Sequence, residues 1–372
     1  MRIGIDARMY GPKATTGIGA YIKNLTDQLF LIDQDNEYFL FMLEPAYSEF
    51  QPPNSRIKKV KVSCPWYSFK EQYQLPKILR AYKLDLVHFP HFNVPIFYPK
   101  RFVVTIHDIT PKFFPGPKVK KSIIRKIGYQ AVFNSGLKRA KKIIANSNHT
   151  KKDLIDFFHC PAEKIEVIYL GLEPIFKVIT NPASLLELKN KYQITKPFIF
   201  YIGVWRDHKN LPGLIQAFNL LKSSYRLDYQ LVLAGQTDQR YPGIQEEINQ
   251  SPFKSDIITP GFIAQQELPL FYNAAKLFIL PSFCEGFGLV ALESLACGLP
   301  VIGSKTTSLP EILQASALYF DPAKPESIAE VANRVLTDPK LYEDLKNRGL
   351  GQIKKYSWRK CAEKTLAIYQ GN

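Results

Sequence analysis

Residues Leu277–Gly303 read LFILPSFCEGFGLVALESLACGLPVIG, and this stretch decides the fold. Four apolar residues, Leu277–Leu280, suit a buried strand, and Pro281-Ser282 ends it. A loop with Glu285-Gly286-Phe287-Gly288 follows, then a helical pattern at about 288–297, then a second strand at Pro300–Gly303. Strand, loop, helix, strand is the unit of a parallel sheet covered on both faces. The two glycines let a ligand approach the backbone. The unbonded N–H groups at the helix start favour an anion such as a diphosphate. Glu285 and Glu293 offer carboxylates able to accept hydrogen bonds from sugar hydroxyls.

The same rhythm runs outward in both directions. In the first half, strands are expected at Arg2–Asp6, Tyr38–Leu43, Ile57–Val62, Leu84–Phe89, Phe102–Ile106, Lys142–Ala145 and Ile165–Ile168. Helical patterns lie at about 18–32, 70–82, 118–139 and 148–158. After a proline-bearing stretch the pattern restarts, with strands at Phe198–Ile202, Gln230–Ala234, Ile257–Pro260, Leu277–Leu280, Pro300–Gly303 and near Leu318–Phe320. Helices fall between them, and more follow at 325–337, 339–350 and Trp358–Tyr369. The reading is an α/β chain of two doubly wound domains: residues 1–172, a linker at 173–197 carrying one short helix, and residues 198–352, with a final helix at 357–370 packing back on the first. Ligands of such sheets bind beyond the carboxyl ends of the strands, so two facing domains would share a cleft.

The string from Glu285 to Val301 resembles the E-x7-E donor motif of glycosyltransferase family 4, retaining enzymes with the GT-B fold of two Rossmann-like domains. The resemblance covers nearly the whole chain. It implies that Glu285 contacts the donor sugar and Glu293 the ribose, with the amides of Phe287, Gly288 and Leu289 at the diphosphate. Ile202-Gly203-Val-Trp-Arg-Asp-His-Lys209-Asn210 resembles the family's phosphate-binding loop, which gives Lys209 to the phosphate. The family's preceding Arg is His208 here. Arg206, permanently charged, is favoured as the second cation. The segment Gly261-Phe262-Ile263 with Leu268 resembles the part that cradles the nucleotide base. Ser304 and Ser308-Leu-Pro310-Glu311 match a later family string, assigned to packing near the donor.

In the first half, Gly17-Ile18-Gly19 resembles the family's GIGRY loop, with Ala20 in place of Arg, and Gly19 is its candidate donor contact. The full dinucleotide fingerprint is missing, which argues against a nicotinamide site. His107, followed by Asp108 at the end of a strand, matches a family HD pair near the donor sugar and is a candidate catalytic residue beside Glu285. Trp66, Tyr67, His91 and Ser147 are candidate acceptor contacts. Asp33-Gln34-Asp35 sits in an αβ turn, at the wrong end of a sheet for ligands, and is read as a solvated turn rather than a metal site. His88 and His91 lack a third ligand. No metal and no cofactor is expected.

Charge is the remaining signal. The 372 residues carry 49 Lys and Arg against 33 Asp and Glu. Residues 51–152 alone hold 22 basic and three acidic side chains, a local excess of +19. Such a face attracts something anionic. Lys118, Lys120, Lys121, Arg125 and Lys126, with Val119, Ile123, Ile124 and Ile127 between them, suit an anionic bilayer. A nucleic-acid-binding protein is the alternative from another class, though no binding motif supports it. The five cysteines form neither a CxxC pair nor a disulfide pattern. No h-region opens the chain, and no run approaches the ~20 apolar residues that span a bilayer. The expectation is a cytoplasmic enzyme at the inner face of the plasma membrane. It would move a hexose from GDP-mannose, or second from a UDP-sugar, to a glycan or lipid-linked acceptor. The opening IGIDARMYG with HDITP resembles bacterial mannosyltransferases of surface polysaccharide synthesis, which is why mannose comes first.

Overall fold

The computed structural model describes residues 1–11, 17–120 and 122–371. Contacts divide it into two compact units, Met1–Gly171 with Ser357–Asn372, and Leu172–Tyr356.

The first unit is built on seven parallel strands: β1 (Arg2–Asp6), β2 (Glu37–Met42), β3 (Ile57–Lys61), β4 (Leu86–Phe89), β5 (Phe102–Ile106), β6 (Lys142–Ala145) and β7 (Ile165–Val167). Their order is β3-β2-β1-β4-β5-β6-β7. Central strands are apolar throughout because helices cover both faces; FVVTI of β5 is buried at every position. Large rings fill one side, among them Phe39, Phe41, Phe89, Phe102 and Phe133. The helix Trp358–Gln370 packs along the helix Gly17–Ile32, which returns the end of the chain to this unit.

The second unit holds six parallel strands: β8 (Phe198–Ile202), β9 (Gln230–Ala234), β10 (Ile257–Gly261), β11 (Leu277–Leu280), β12 (Val301–Ser304) and β13 (Ala317–Phe320). Their order is β10-β9-β8-β11-β12-β13. Both sheets therefore grow one way from their first strand and then reverse, which leaves a crevice between β1 and β4 in one and between β8 and β11 in the other.

Three local expectations change. The stretch 173–197 carries the helix Pro182–Lys191, which packs on the helix Leu268–Ala274 as part of the second unit. Lys191 pairs with Glu267, and the Tyr192 hydroxyl donates to the same carboxylate at 3.1 Å. The helical pattern expected over 118–139 is two helices, Pro117–Lys120 and Ile123–Arg139, because Ser122 is extended and its hydroxyl caps the second by accepting from the Arg125 N–H. Asp33 lies in the αβ turn as read, but it is buried rather than solvated. Its carboxylate accepts from the amides of Asp35 and Asn36, from the Asn36 side chain and from the Tyr38 hydroxyl. A carboxylate with four donors organises a turn and is satisfied without a metal.

Candidate functional site

The crevice of the second unit gathers loops from four strands. The loop after β8 ends in the short turn Asp207–Lys209, where Asn210 takes a left-handed conformation and starts the helix Leu211–Ser223. The Asn210 amide donates to the carbonyls of Pro281, at 3.2 Å, and Pro322, at 2.7 Å. The Phe283 N–H donates to the His208 carbonyl at 2.8 Å. These bonds stitch the loops after β8, β11 and β13 together. The loop after β12 joins through Glu285, whose N–H reaches the Thr307 hydroxyl at 3.0 Å and whose carbonyl accepts from Ser308 at 2.9 Å.

This scaffold joins two residues that the sequence left apart. Lys209 Nζ donates to Glu285 Oε1 at 2.6 Å, and the Ser282 hydroxyl donates to the same oxygen at 2.6 Å. Both side chains are mostly buried, 16% and 11% exposed. Burial works to raise the Glu285 pKa, but Lys209 and Ser282 outweigh it and hold the carboxyl below its usual range. His208 is buried, and burial followed by the Lys209 charge pushes its imidazole down to about 4. With no anion at the site, the ring is neutral. Arg206 is exposed in the same loop and makes no ion pair among the described residues.

Gly288 precedes the helix Leu289–Ala296 with φ +84°, and a Cβ there would lie 2.7 Å from Leu309 Cδ2, so only glycine opens this helix. No side chain caps it; the Ala291 and Leu292 N–H groups turn to the Gly288 carbonyl, and those of Leu289 and Val290 at the very start suit a ligand. Phe287 is buried edge-on against Tyr356. Glu293 accepts from the Tyr272 hydroxyl at 2.8 Å. Burial, opposed by that bond and reinforced by Glu173, pushes its carboxyl up to about 7. After β10, Phe262 is 61% exposed, whereas Ile263 is buried and Leu268 half-buried. The Tyr201 hydroxyl and the Trp205 indole N–H, at the end of β8 and just beyond, are buried with no partner among the described residues. Buried donors of that kind commonly mark a place for water or ligand. Sequence reading missed Ser282, Thr307, Tyr272 and Asn210, which hold the two glutamates and Lys209 in place; it gave Ser308 only a packing role.

In the first unit, Gly19 is buried in the first turn of the helix Gly17–Ile32. His107 follows β5, and its Nε2–H donates to the Pro90 carbonyl at 3.0 Å. Burial holds its pKa below the usual imidazole range, so the ring is neutral with Nδ1 as its acceptor. Tyr21 meets this ring edge-on at 4.8 Å. Behind it runs a buried chain: Tyr21 to Thr105 at 3.0 Å, Thr105 to His88 at 2.8 Å, and His88 to Tyr369 at 2.6 Å. The Tyr67 hydroxyl bonds the His91 ring, and Trp66 is 36% exposed beside them. Ser147 is fully buried, and its hydroxyl caps the helix Asn148–Phe158 by accepting from the Thr150 N–H at 3.0 Å. That duty accounts for the residue without an acceptor sugar.

On the basic face, Arg125 and Lys126 are exposed among Ile123, Ile124 and Ile127, which are 68%, 74% and 58% exposed. Lys121 lies outside the described residues, as do the side chains of Lys118 and Lys120. No helix is long and apolar enough to cross a membrane among the described residues. Nor do three His, Cys, Asp or Glu side chains among them converge as metal ligands.

Two family models match the chain: "Glycosyltransferase Family 4" over residues 16–174 and "Glycosyl transferases group 1" over residues 186–352. O-antigen chain mannosyltransferase B of Escherichia coli is 32% identical over 297 residues, 78% of this chain and 76% of that protein. The serotype-specific mannosyltransferase WbdA of E. coli is 30% identical over 292 residues, 76% of this chain but 34% of that protein, so the chain spans about a third of WbdA. Among solved structures, sucrose-phosphate synthase from Thermosynechococcus elongatus superposes with a TM-score of 0.80 at 19% identity, over 100% of this chain and 98% of that one. That likeness gives the fold, GT-B.

Proposed function

Since the chain belongs to the family 4 and group 1 glycosyltransferases, and is thus a hexosyltransferase taking a sugar-nucleotide donor and a glycan acceptor, we propose that it transfers mannose from GDP-mannose to a lipid-linked or polysaccharide acceptor. Transfer retains the anomeric configuration and needs no divalent metal. The names of the two mannosyltransferase relatives support the sugar. The observation that carries the donor site is the Lys209–Glu285 pair at the switch point of the second sheet, beside the uncapped helix start at Gly288.

In this reading the pair is the resting state of the site. The incoming diphosphate draws Lys209 away from Glu285 and also engages Arg206 and the amides of Phe287, Gly288 and Leu289. Positive charge is thereby fixed where the leaving phosphate develops its negative charge, the service a divalent ion performs elsewhere. Glu285, released, accepts from a hydroxyl of the donor sugar. Glu293 accepts from the ribose, and Phe262, Ile263 and Leu268 hold the base. Within the first unit, neutral His107 offers Nδ1 to a sugar hydroxyl, and Gly19 contributes its backbone to ligand binding. The acceptor is deprotonated with help from the leaving phosphate, so no protein nucleophile is required. Arg125, Lys126 and their exposed isoleucines rest on an anionic membrane at its inner face, where a lipid-linked acceptor is presented.

The test is a thermal-shift panel of GDP-, UDP- and ADP-sugars in the presence of EDTA. GDP-mannose should raise the melting temperature most; silence toward every donor would sink the reading. The anomeric configuration of the product, read by NMR, tests retention separately.

A further inference from the structure

The first sheet has a switch point of its own, between β1 and β4, and the residues just beyond those strands form a small crevice. Asp6 and Arg8 come from the end of β1, Pro90, His91 and Asn93 from beyond β4, and Trp66 from the loop before the helix Phe69–Ala81. Its volume is about 10 Å³, room for one water or one hydroxyl oxygen.

A buried ion network fixes the walls. Arg8 is 3% exposed and Glu71 fully buried. Arg8 grips Asp6 with two bonds of 2.7 Å, from Nε to Oδ1 and from Nη2 to Oδ2. Nη2 also reaches Glu71, and Nη1 donates to the Cys64 carbonyl at 3.3 Å. Asn93 Nδ2 donates to both Glu71 oxygens, at 2.6 and 2.7 Å. The Tyr67 N–H donates to Glu71 Oε2 at 2.9 Å, with Tyr67 at φ +60°. Taking three charged groups out of water is costly, and here the cost fixes a loop and a carboxylate at a ligand crevice.

We propose that this crevice receives one hydroxyl of an uncharged sugar, the end of the glycan acceptor, with Asp6 accepting its single hydrogen, the Asn93 side-chain oxygen open to a neighbouring hydroxyl of the same sugar, and Trp66 stacking on its ring. The inference rests on the glycosyltransferase reading and specifies the acceptor within it. Three observations carry it. The Asp6 carboxylate has about four lone-pair sites, so Arg8 does not exhaust its capacity, and the Asn93 amide hydrogens are spent on Glu71, which leaves its carbonyl oxygen. The Arg8 charge is consumed by two carboxylates, so a phosphate would meet Asp6 and Glu71 rather than a free cation. Beyond the crevice the exposed side chains are aromatic: Tyr67 is 59%, Phe69 88% and Tyr73 57% exposed, the last two one turn apart on a helix. Flat rings in water suit the C–H faces of successive sugars. The crevice also adjoins His107, the candidate catalytic residue of this unit, since the Pro90 carbonyl in its wall accepts from that ring.

The test uses the full chain and a donor-free binding assay, saturation-transfer NMR with mannotriose and with mannose 6-phosphate. Asp6→Asn keeps shape but weakens the charged acceptor, and Trp66→Ala removes an exposed ring without touching the ion network. Mannotriose should bind the wild type, and each substitution should weaken it on the order of tenfold. The melting-temperature rise with sugar nucleotide should be unchanged in Trp66→Ala. Wild-type binding of mannose 6-phosphate in preference to mannotriose, or unweakened mannotriose binding by Trp66→Ala, overturns the proposal. So does absence of mannotriose binding while the donor shift persists. Absence of the donor shift in the wild type instead strikes the glycosyltransferase reading beneath it.

Discussion

Glu293 is held in a place that costs the protein stability. It sits on the helix Leu289–Ala296 with Tyr272 as its hydrogen-bond donor and Glu173 near enough to repel it. Burial, first, and then that repulsion carry its carboxyl from an ordinary 4.5 to about 7. The sign follows from linkage. A carboxyl raised in the folded state stabilises below its ordinary value, and that contribution is lost as pH climbs through about 7. By pH 8 the loss is roughly 3 kcal/mol. Glu293→Gln does not titrate and still accepts from Tyr272. It should therefore melt higher than the wild type at pH 8, by roughly 5–10 °C for a unit of this size. Near pH 4.5 the difference should shrink toward zero. The assay is differential scanning fluorimetry of both proteins across that range, repeated with sugar nucleotide. If Glu293 holds the ribose, the stabler variant gains less from the donor than the wild type does. A melting difference that is the same at both ends of the range would refute the titration argument, and an undiminished donor response would refute the ribose role.

Three further outcomes are expected. Lys209→Met leaves Glu285 buried without its cation and should destabilise by about 3–5 kcal/mol in chemical denaturation; adding Glu285→Gln should restore much of that stability without restoring transfer, and a single variant as stable as the wild type would mean the pair is not formed. Gly235→Ala, at φ +122° with the new Cβ 1.9 Å from the Gly203 carbonyl oxygen, should prevent accumulation of folded protein, as read by soluble yield. Arg125→Glu with Lys126→Glu should abolish flotation with anionic vesicles, since each nearby cation contributes about 1 kcal/mol before reversal; retention would remove the membrane face.

The strands were legible because their ends are marked. Arg2–Asp6, Phe102–Ile106, Lys142–Ala145, Phe198–Ile202, Gln230–Ala234 and Leu277–Leu280 occur with the bounds their apolar runs predict. The helix break at Ser122 escaped because Val119 before it and Ile123, Ile124 and Ile127 after it keep the helical period running across it in the sequence. Asp33 escaped because turn position says nothing about burial: the Tyr38 hydroxyl that covers it comes from the next strand. In the candidate donor site, Glu285 and Glu293 were readable as members of one continuous string. Their partners were not. Lys209 and Glu285 are 76 positions apart, Tyr272 and Glu293 are 21, and only the adjacency of β8 and β11 brings the first pair together.

The two switch points differ in legibility for that same reason. In the second unit the candidate ligand groups lie largely on one strand-loop-helix, so spacing along the chain encodes spacing in space. In the first unit the crevice draws on residues 6 and 8, 66, 71, and 91 and 93, each unremarkable where it stands: an Asp at a strand end, an Arg after it, a Glu in a first helical turn, a His and an Asn after another strand. What unites them is the pairing of β1 with β4, which sets Ile5 opposite His88 and lets both chains emerge side by side. A buried Arg is then possible because two carboxylates and a carbonyl surround it, and that surrounding is a property of the sheet order rather than of any segment. A crevice assembled this way changes by single substitutions in separate loops while the Glu285–Glu293 string stays intact, so the two are read from different kinds of information.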